Sequence, residues 1–312
     1  MPDNGIRLII TNGSSGVDAI RNAGINGTYM SWDDVLHDGP VPAADSLEEL
    51  SGIRAKFITG RGWGNGEEIR DRFKKRDDQF LDAVKKGADQ PEEIILWFEH
   101  DLYDQLQLIQ ILFEIGRLQT RSLNLSMICH DHYIGLTPVD QLAADFESRR
   151  AVSSVQINMA TEAWRAFTSS KPGRLKAFQE NEAVDTLPFL SSALNRMLEE
   201  IPGEKDGISR TERTILRCLE DGPLSGGQLF RAQQKTEEAI FMGDGSFEHV
   251  LTGMLSENRE LIKTDRESDY ADATFPTTSF EITPLGGAVL AGSKSARNHA
   301  PVRWIGGCQI NP

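Results

Sequence analysis

The chain has 312 residues, enough for two domains with buried cores, so a single small disulfide-held module is excluded. It carries 33 Lys and Arg against 47 Asp and Glu, a formal charge of −14, with 39% hydrophobic and 26% charged residues. That balance fits an ordinary globular protein and argues against one that coats nucleic acid, because affinity for phosphate backbones rests on clustered Lys and Arg.

The opening Met1–Arg7 carries Asp3 and no apolar signal core, and no run approaches the roughly 18 apolar residues that span a bilayer. The expectation is a cytoplasmic protein without membrane contact. Cys129, Cys218 and Cys308 stand far apart with no CxxC pair, which suits reduced thiols better than disulfides or a zinc knot.

In chain order, the first half alternates strands and helices. Residues 6–10 (Ile-Arg-Leu-Ile-Ile) predict a strand, and Thr11-Asn12-Gly13-Ser14-Ser15-Gly16 stops it; Val17, Ile20 and Ala23 then recur at helical spacing. Thr28–Trp32 is a second strand, ending in a loop that Gly39, Pro40 and Pro42 keep irregular. From Leu47 to Lys86 two charged surface helices are expected on either side of Gly60–Gly66. Ile94-Ile95-Leu96-Trp97-Phe98 is a continuous apolar block, the pattern of a strand buried on both faces, and Leu102–Leu118 follows it as a helix. Leu123–Cys129 repeats the strand pattern. Trp32 and Trp97 read as core residues.

Such alternation implies βαβ units, right-handed crossovers and a mainly parallel sheet. The predicted fold is therefore α/β, a Rossmann-like three-layer sheet over residues 1–137, followed by a helical connector over 138–203. In residues 204–312, Ser209-Arg210-Thr211-Glu212 has capping-box spacing for a helix, with further helices near 225–235 and 245–255. Strands at 261–264 and 279–283 surround a polar loop, and a last helix covers 284–290. Three helices and two strands predict a small winged-helix-like α+β domain.

Chemistry gathers at the strand ends. His37, His100, His130 and His132 each follow a predicted strand, with Asp38, Asp101 and Asp131 beside them and Asp33, Asp34 and Glu99 nearby. In an open parallel sheet the carboxyl ends of the strands share one edge, where ligands bind. His37, Asp38, Glu99, His100, Asp101, His130 and Asp131 are accordingly the candidate catalytic residues, groups suited to proton transfer. Asp101 also reads as the N-cap of the following helix. His130 and His132, at i and i+2, would point the same way on an extended chain and could grip a metal ion with a carboxylate. A hydrogen-bonded strand end without metal is the preferred reading there, and no metal ligand is assigned. Thr11, Asn12, Gly13, Ser14 and Ser15 lie between a strand and a helix start, where backbone N–H groups and hydroxyls can cradle a small anion. Neither GxGxxG nor a Walker A loop is present, so no cofactor is identified.

The string Trp32-Asp33-Asp34-Val35-Leu36-His37-Asp38-Gly39-Pro40-Val41-Pro42, together with Leu96-Trp97-Phe98-Glu99-His100-Asp101-Leu102-Tyr103-Asp104-Gln105-Leu106-Gln107-Leu108, resembles the bacterial family catalogued as domain of unknown function 1835. The likeness covers residues from about 6 to 135. Phe241-Met242-Gly243-Asp244 and Arg303-Trp304-Ile305-Gly306-Gly307 are similar to the tail that accompanies that domain in some members. The resemblance implies a division between an α/β half and a C-terminal part. It implies no activity and supplies no catalytic residues.

Two functions follow from these expectations. One is a hydrolase or group-transfer enzyme acting on a small anionic or phosphate-bearing substrate at the carboxyl edge of the sheet. The other is a ligand-sensing transcriptional regulator or protein-interaction module. Residues 243–258, the candidate recognition helix, hold Asp244, Glu248 and Glu257 and no Lys or Arg, so sequence-specific nucleic-acid binding is not expected. The sequence leaves the oligomeric state and the reaction open.

Overall fold

The computed structural model describes residues 7–85, 91–118, 123–180, 186–265, 272–297 and 302–310. Ile6, expected to open the first strand, and part of the polar loop expected between residues 264 and 279 lie outside them. The chain forms two compact units, residues 1–195 with 306–308, and residues 196–305 with 309–312.

The first unit contains β1 (Arg7–Thr11), α1 (Ser14–Asn22), β2 (Thr28–Ser31), α2 (Leu47–Gly60), α3 (Gly66–Val84), β3 (Glu93–Phe98), α4 (Leu102–Arg117), β4 (Leu125–Cys129), α5 (Val139–Glu147), β5 (Arg150–Ala151), α6 (Ser154–Phe167) and α7 (Arg174–Gln179); α8 (Leu190–Leu198) starts in it. The five strands form one sheet in the order β2-β1-β3-β4-β5, parallel except for β5, which pairs antiparallel with β4. This is an α/β fold with a mostly parallel sheet. β3 takes the central place that its apolar run predicts, with Ile94 to Phe98 all buried.

Alternation along the strands sends side chains to both faces. Ile9, Ile95, Trp97 and Ile128 cluster on one face with Ile20 of α1 and with Leu142 and Phe146 of α5. Ile10, Leu96 and Phe98 turn to the opposite face and are equally buried. There Trp32, just after β2, donates its Nε1–H to Gln110 of α4 at 2.9 Å and meets the Phe80 ring of α3 at 5.2 Å.

The loop after β2 has no regular structure and is fixed by one side chain instead. Arg54 of α2, fully buried, pairs with Asp34 at 2.9 Å and donates to the carbonyls of Val35, Asp38 and Pro40. Gly39 adopts φ 75°, and a side chain there would collide with the Phe57 ring.

Residues 138–195 cluster with the first unit, where α6 packs along α4. Its buried Ala160, Ala163 and Ala166 allow close approach, and Trp164 reaches the Phe113 ring at 6.3 Å. The second unit correspondingly begins at residue 196 instead of 204.

In the second unit α9 (Arg210–Cys218), β6 (Leu224–Ser225), α10 (Gly226–Gln234), α11 (Asp244–Leu255), β7 (Ile262–Thr264), β8 (Ser279–Ile282) and α12 (Pro284–Leu290) precede a hairpin of β9 (Arg303–Ile305) and β10 (Cys308–Ile310). The expected capping box at Ser209 and Glu212 is formed, and Ser225 with Gln228 makes another at α10. Strands β6, β8 and β7 form an antiparallel sheet in that order. Glu212 is fully buried, where the guanidinium groups of Arg259 and Arg303 neutralise it.

Replacing Arg54 with Met would leave Asp34 charged, buried and unpaired, and breaking such a pair costs about 3–5 kcal/mol. Urea unfolding followed by tryptophan fluorescence should show a clearly lowered midpoint for Arg54→Met. An unchanged midpoint would contradict the pinning role.

Candidate functional site

Parallel pairing in register brings the strand ends to one edge. Thr11 of β1 lies opposite both Ser31 of β2 and Trp97 of β3, and Phe98 lies opposite Cys129 of β4. The residues that follow, Asn12, Trp32, Glu99 and His130, therefore leave the sheet on the same side. From β1 the chain turns to β2, and from β3 it turns the other way to β4, so the strand order reverses between β1 and β3. This is the switch point at which open α/β sheets form a crevice.

At that point the β1 and β3 turns are joined through Asp104, in the first turn of α4. Its Oδ2 accepts from Asn12 Nδ2 at 2.8 Å, and its Oδ1 accepts from the Glu99 backbone N–H at 2.6 Å. Gly16 in α1 permits this, since a Cβ there would fall 2.7 Å from Asn12 Oδ1. Asp101 caps α4 by accepting the Asp104 N–H at 3.1 Å, as its sequence position predicts. Glu99 Oε1 accepts the Ile134 N–H at 2.7 Å, while Gln105 Nε2 donates to the Glu99 carbonyl at 2.7 Å.

Glu99, Asp101 and Asp104 thus sit together. Each offers an oxygen within 4.8 Å of the others, and their exposures are 7%, 3% and 0%. Among the described residues no Lys or Arg pairs with any of them. Three carboxylates cannot all stay ionised in such a place, since burial penalises the charge and each charge repels the next. Burial, with the Asp101 and Glu99 charges added, raises the Asp104 carboxyl well above the usual range. Burial pushes Asp101 up to about 7, and Glu99 is raised for the same reason against the opposing Ile134 N–H. The cluster holds protons near neutral pH. Its donor atoms could also hold a cation, although Asp104 already accepts an N–H on each oxygen.

The histidines surround this cluster unevenly. His100 is half-buried between the rings of Tyr133 at 5.1 Å and Phe189 at 5.9 Å, and its Nδ1 has no hydrogen-bond partner. Burial lowers its pKa, so the ring is neutral at pH 7. His130 and His132 stack with centroids 5.1 Å apart and planes 8° from parallel, and both turn their Nε2 atoms to Asp145 of α5. They line an open cavity of about 730 Å³ with Asp131, Tyr133, Thr137 and Gln141. His37 stands edge-on to Tyr103, in the first turn of α4, at 6.0 Å.

The expected convergence is therefore partial. Asn12, Glu99 and Asp101 come together, with His100 flanking them. His37 and His130 follow β2 and β4, which are three strand spacings apart, about 14 Å. The Asp38 carboxylate pairs with Arg61 at 3.2 Å. Asp131 is largely exposed, 3.7 Å from His132 Nδ1. In the β1 turn Thr11 is buried and Gly13 precedes α1 without a side-chain cap, while Ser14 and Ser15 are exposed.

No family model matches the chain, and no curated protein is significantly similar to it.

Sequence reasoning missed Asp104 and Asp145. Asp104 stands three residues after the Asp101 cap, in a first helical turn where an acid is ordinarily solvated. Asp145 lies in α5 among residues whose apolar periodicity, Leu142 and Phe146, places it beside the buried face. That periodicity was the available signal.

A carboxyl whose pKa rises on folding keeps a proton that unfolding releases. For Asp101 the stability penalty is absent below about pH 4, grows as pH rises toward 7 and is complete above it. Asn caps a helix as well as Asp, so Asp101→Asn removes the charge and keeps the cap. Urea unfolding between pH 4 and 8 should show the variant gaining on wild type as pH rises, by at most about 1.4 kcal/mol per pH unit. Parallel stability curves would refute the shifted carboxyl.

Proposed function

We propose that the protein is a cytosolic hydrolase or group-transfer enzyme that uses general acid–base chemistry on a small anionic or phosphate-bearing substrate at the β1/β3 switch point. The observation that carries this reading is the buried Glu99–Asp101–Asp104 cluster, which stores protons beside a neutral imidazole. Environments that drive neighbouring titratable groups apart are how one site supplies an acid and a base at one pH. Glu99, the most exposed of the three, is the acid; Asp101 and Asp104 position it and sustain its raised pKa. His100 is the base.

The turn Asn12–Ser15 is the seat for the anion. The N-terminal N–H groups of α1 face no side-chain cap, and the exposed Ser14 and Ser15 add hydroxyls. The sheet order and the helices on both faces support a Rossmann-like description of this unit. Its membership in the family of domain of unknown function 1835 belongs to the same proposal and rests on the Trp32–Pro42 and Leu96–Leu108 strings.

A second reading, a ligand-sensing regulator or protein-interaction module, draws on the second unit. The succession α9, β6, α10, α11, β7, β8 with sheet order β6-β8-β7 supports a winged-helix-like description. Helix α11 carries Asp244 and Glu248 and no Lys or Arg, which favours a protein contact over base readout.

Amide chemical shifts in the presence of inorganic phosphate, sugar phosphates or nucleotides, with chelator in the buffer, test the anion seat. Gly13 to Gly16 should move with at least one of them, and turnover of that compound should fall about 100-fold or more in Glu99→Gln and His100→Gln. Unmoved Gly13–Gly16 amides across the panel would overturn the reading.

A further inference from the structure

The cavity beside β4 contains a constellation that the acid–base reading leaves unused. We propose that His130, His132 and Asp145 form a binding site for a first-row divalent transition-metal ion, with zinc the best match. The parallel stack directs two imidazole edges at one carboxylate. His132 Nε2 is 2.8 Å from Asp145 Oδ2, and His130 Nε2, which has no hydrogen bond, is 3.6 Å from Asp145 Oδ1. A nitrogen and an oxygen 3.6 Å apart span two metal bonds of about 2.0 Å at an open angle. His132 enters the same shell by exchanging its hydrogen bond to Asp145 for a metal bond, with a swing of its ring.

The supporting groups are also in place. Gln141 Nε2 donates to Asp145 Oδ1 at 2.7 Å and holds the carboxylate. Asp131, 3.7 Å from His132 Nδ1, favours the tautomer that carries its proton there and frees Nε2 for the metal. Two imidazoles and one carboxylate suit zinc better than magnesium or calcium, which prefer oxygen. The fourth position faces the open cavity, where Tyr133 and Thr137 lie. An ion there would offer the coordination vacancy typical of zinc sites that bind water or substrate.

The proposal does not depend on the acid–base reading, and the two fail separately, because the metal titration contains no anionic ligand and the anion titration contains chelator. Isothermal titration of the full chain with zinc chloride should give one site per chain. Affinity should fall at least about 100-fold in His130→Ala and Asp145→Asn, and about 10-fold in Gln141→Leu. Ring ¹⁵N spectra of the unaltered protein give a readout independent of variant folding: zinc should shift the Nε2 resonances of His130 and His132 and leave His37 unmoved. Nε2 resonances that do not respond, or binding that survives His130→Ala and vanishes on alkylating the cysteines, would overturn the site.

Discussion

The bonds of one buried carboxylate hold the candidate site in shape. Asp104 ties the turn after β1 to the turn after β3 through Asn12 and the Glu99 amide, at the point where the sheet reverses its order. An Asp that accepts two N–H bonds in a fully buried position would normally be offset by a nearby cation, because burying an isolated charge is costly. Here the neighbours are Glu99 and Asp101. The same contacts that fix the crevice therefore also force protons into it.

Elsewhere the protein treats buried acids differently. Asp34 faces Arg54, Asp77 faces Arg76, and Glu212 faces Arg259 and Arg303. In each case a guanidinium pairs with the carboxylate and hydrogen-bonds it, the arrangement expected where the role is structural, although burial still raises the Asp77 carboxyl. The Glu99–Asp101–Asp104 cluster departs from that pattern, and the departure falls on the edge of the sheet where α/β proteins place their chemistry. Perturbed titration at a crevice is a recurrent mark of function. The stacked imidazoles beside Asp145 extend the same edge with donors of a different kind.

Much of the architecture was legible in the sequence. The apolar block at Ile94–Phe98 located the central strand, and the Gly60–Gly66 break separated α2 from α3. Asp101 and Ser209 announced their caps because an N-cap acts through bonds to residues two or three positions away. What failed depended on distant contacts. Strand β5 is two residues long, too short for any period, and residues 138–195 gave helix signals without showing that α6 would lie against α4. The site was legible only as a list of strand-end residues. Register showed that they share an edge, but the strand order, which sets His37 apart from His130, is not written in local pattern. Asp104 and Asp145 were missed because their burial is decided by neighbours remote in sequence.

The central claim is that a carboxyl at the switch point remains protonated at neutral pH. Carboxyl ¹³C resonances of labelled protein, followed from pH 3 to 9, test it most directly. The account predicts that Asp101 titrates near 7, well separated from the exposed acids, with Asp104 above its usual range. Asp101, Glu99 and Asp104 all titrating with the surface carboxylates near pH 4 would contradict it.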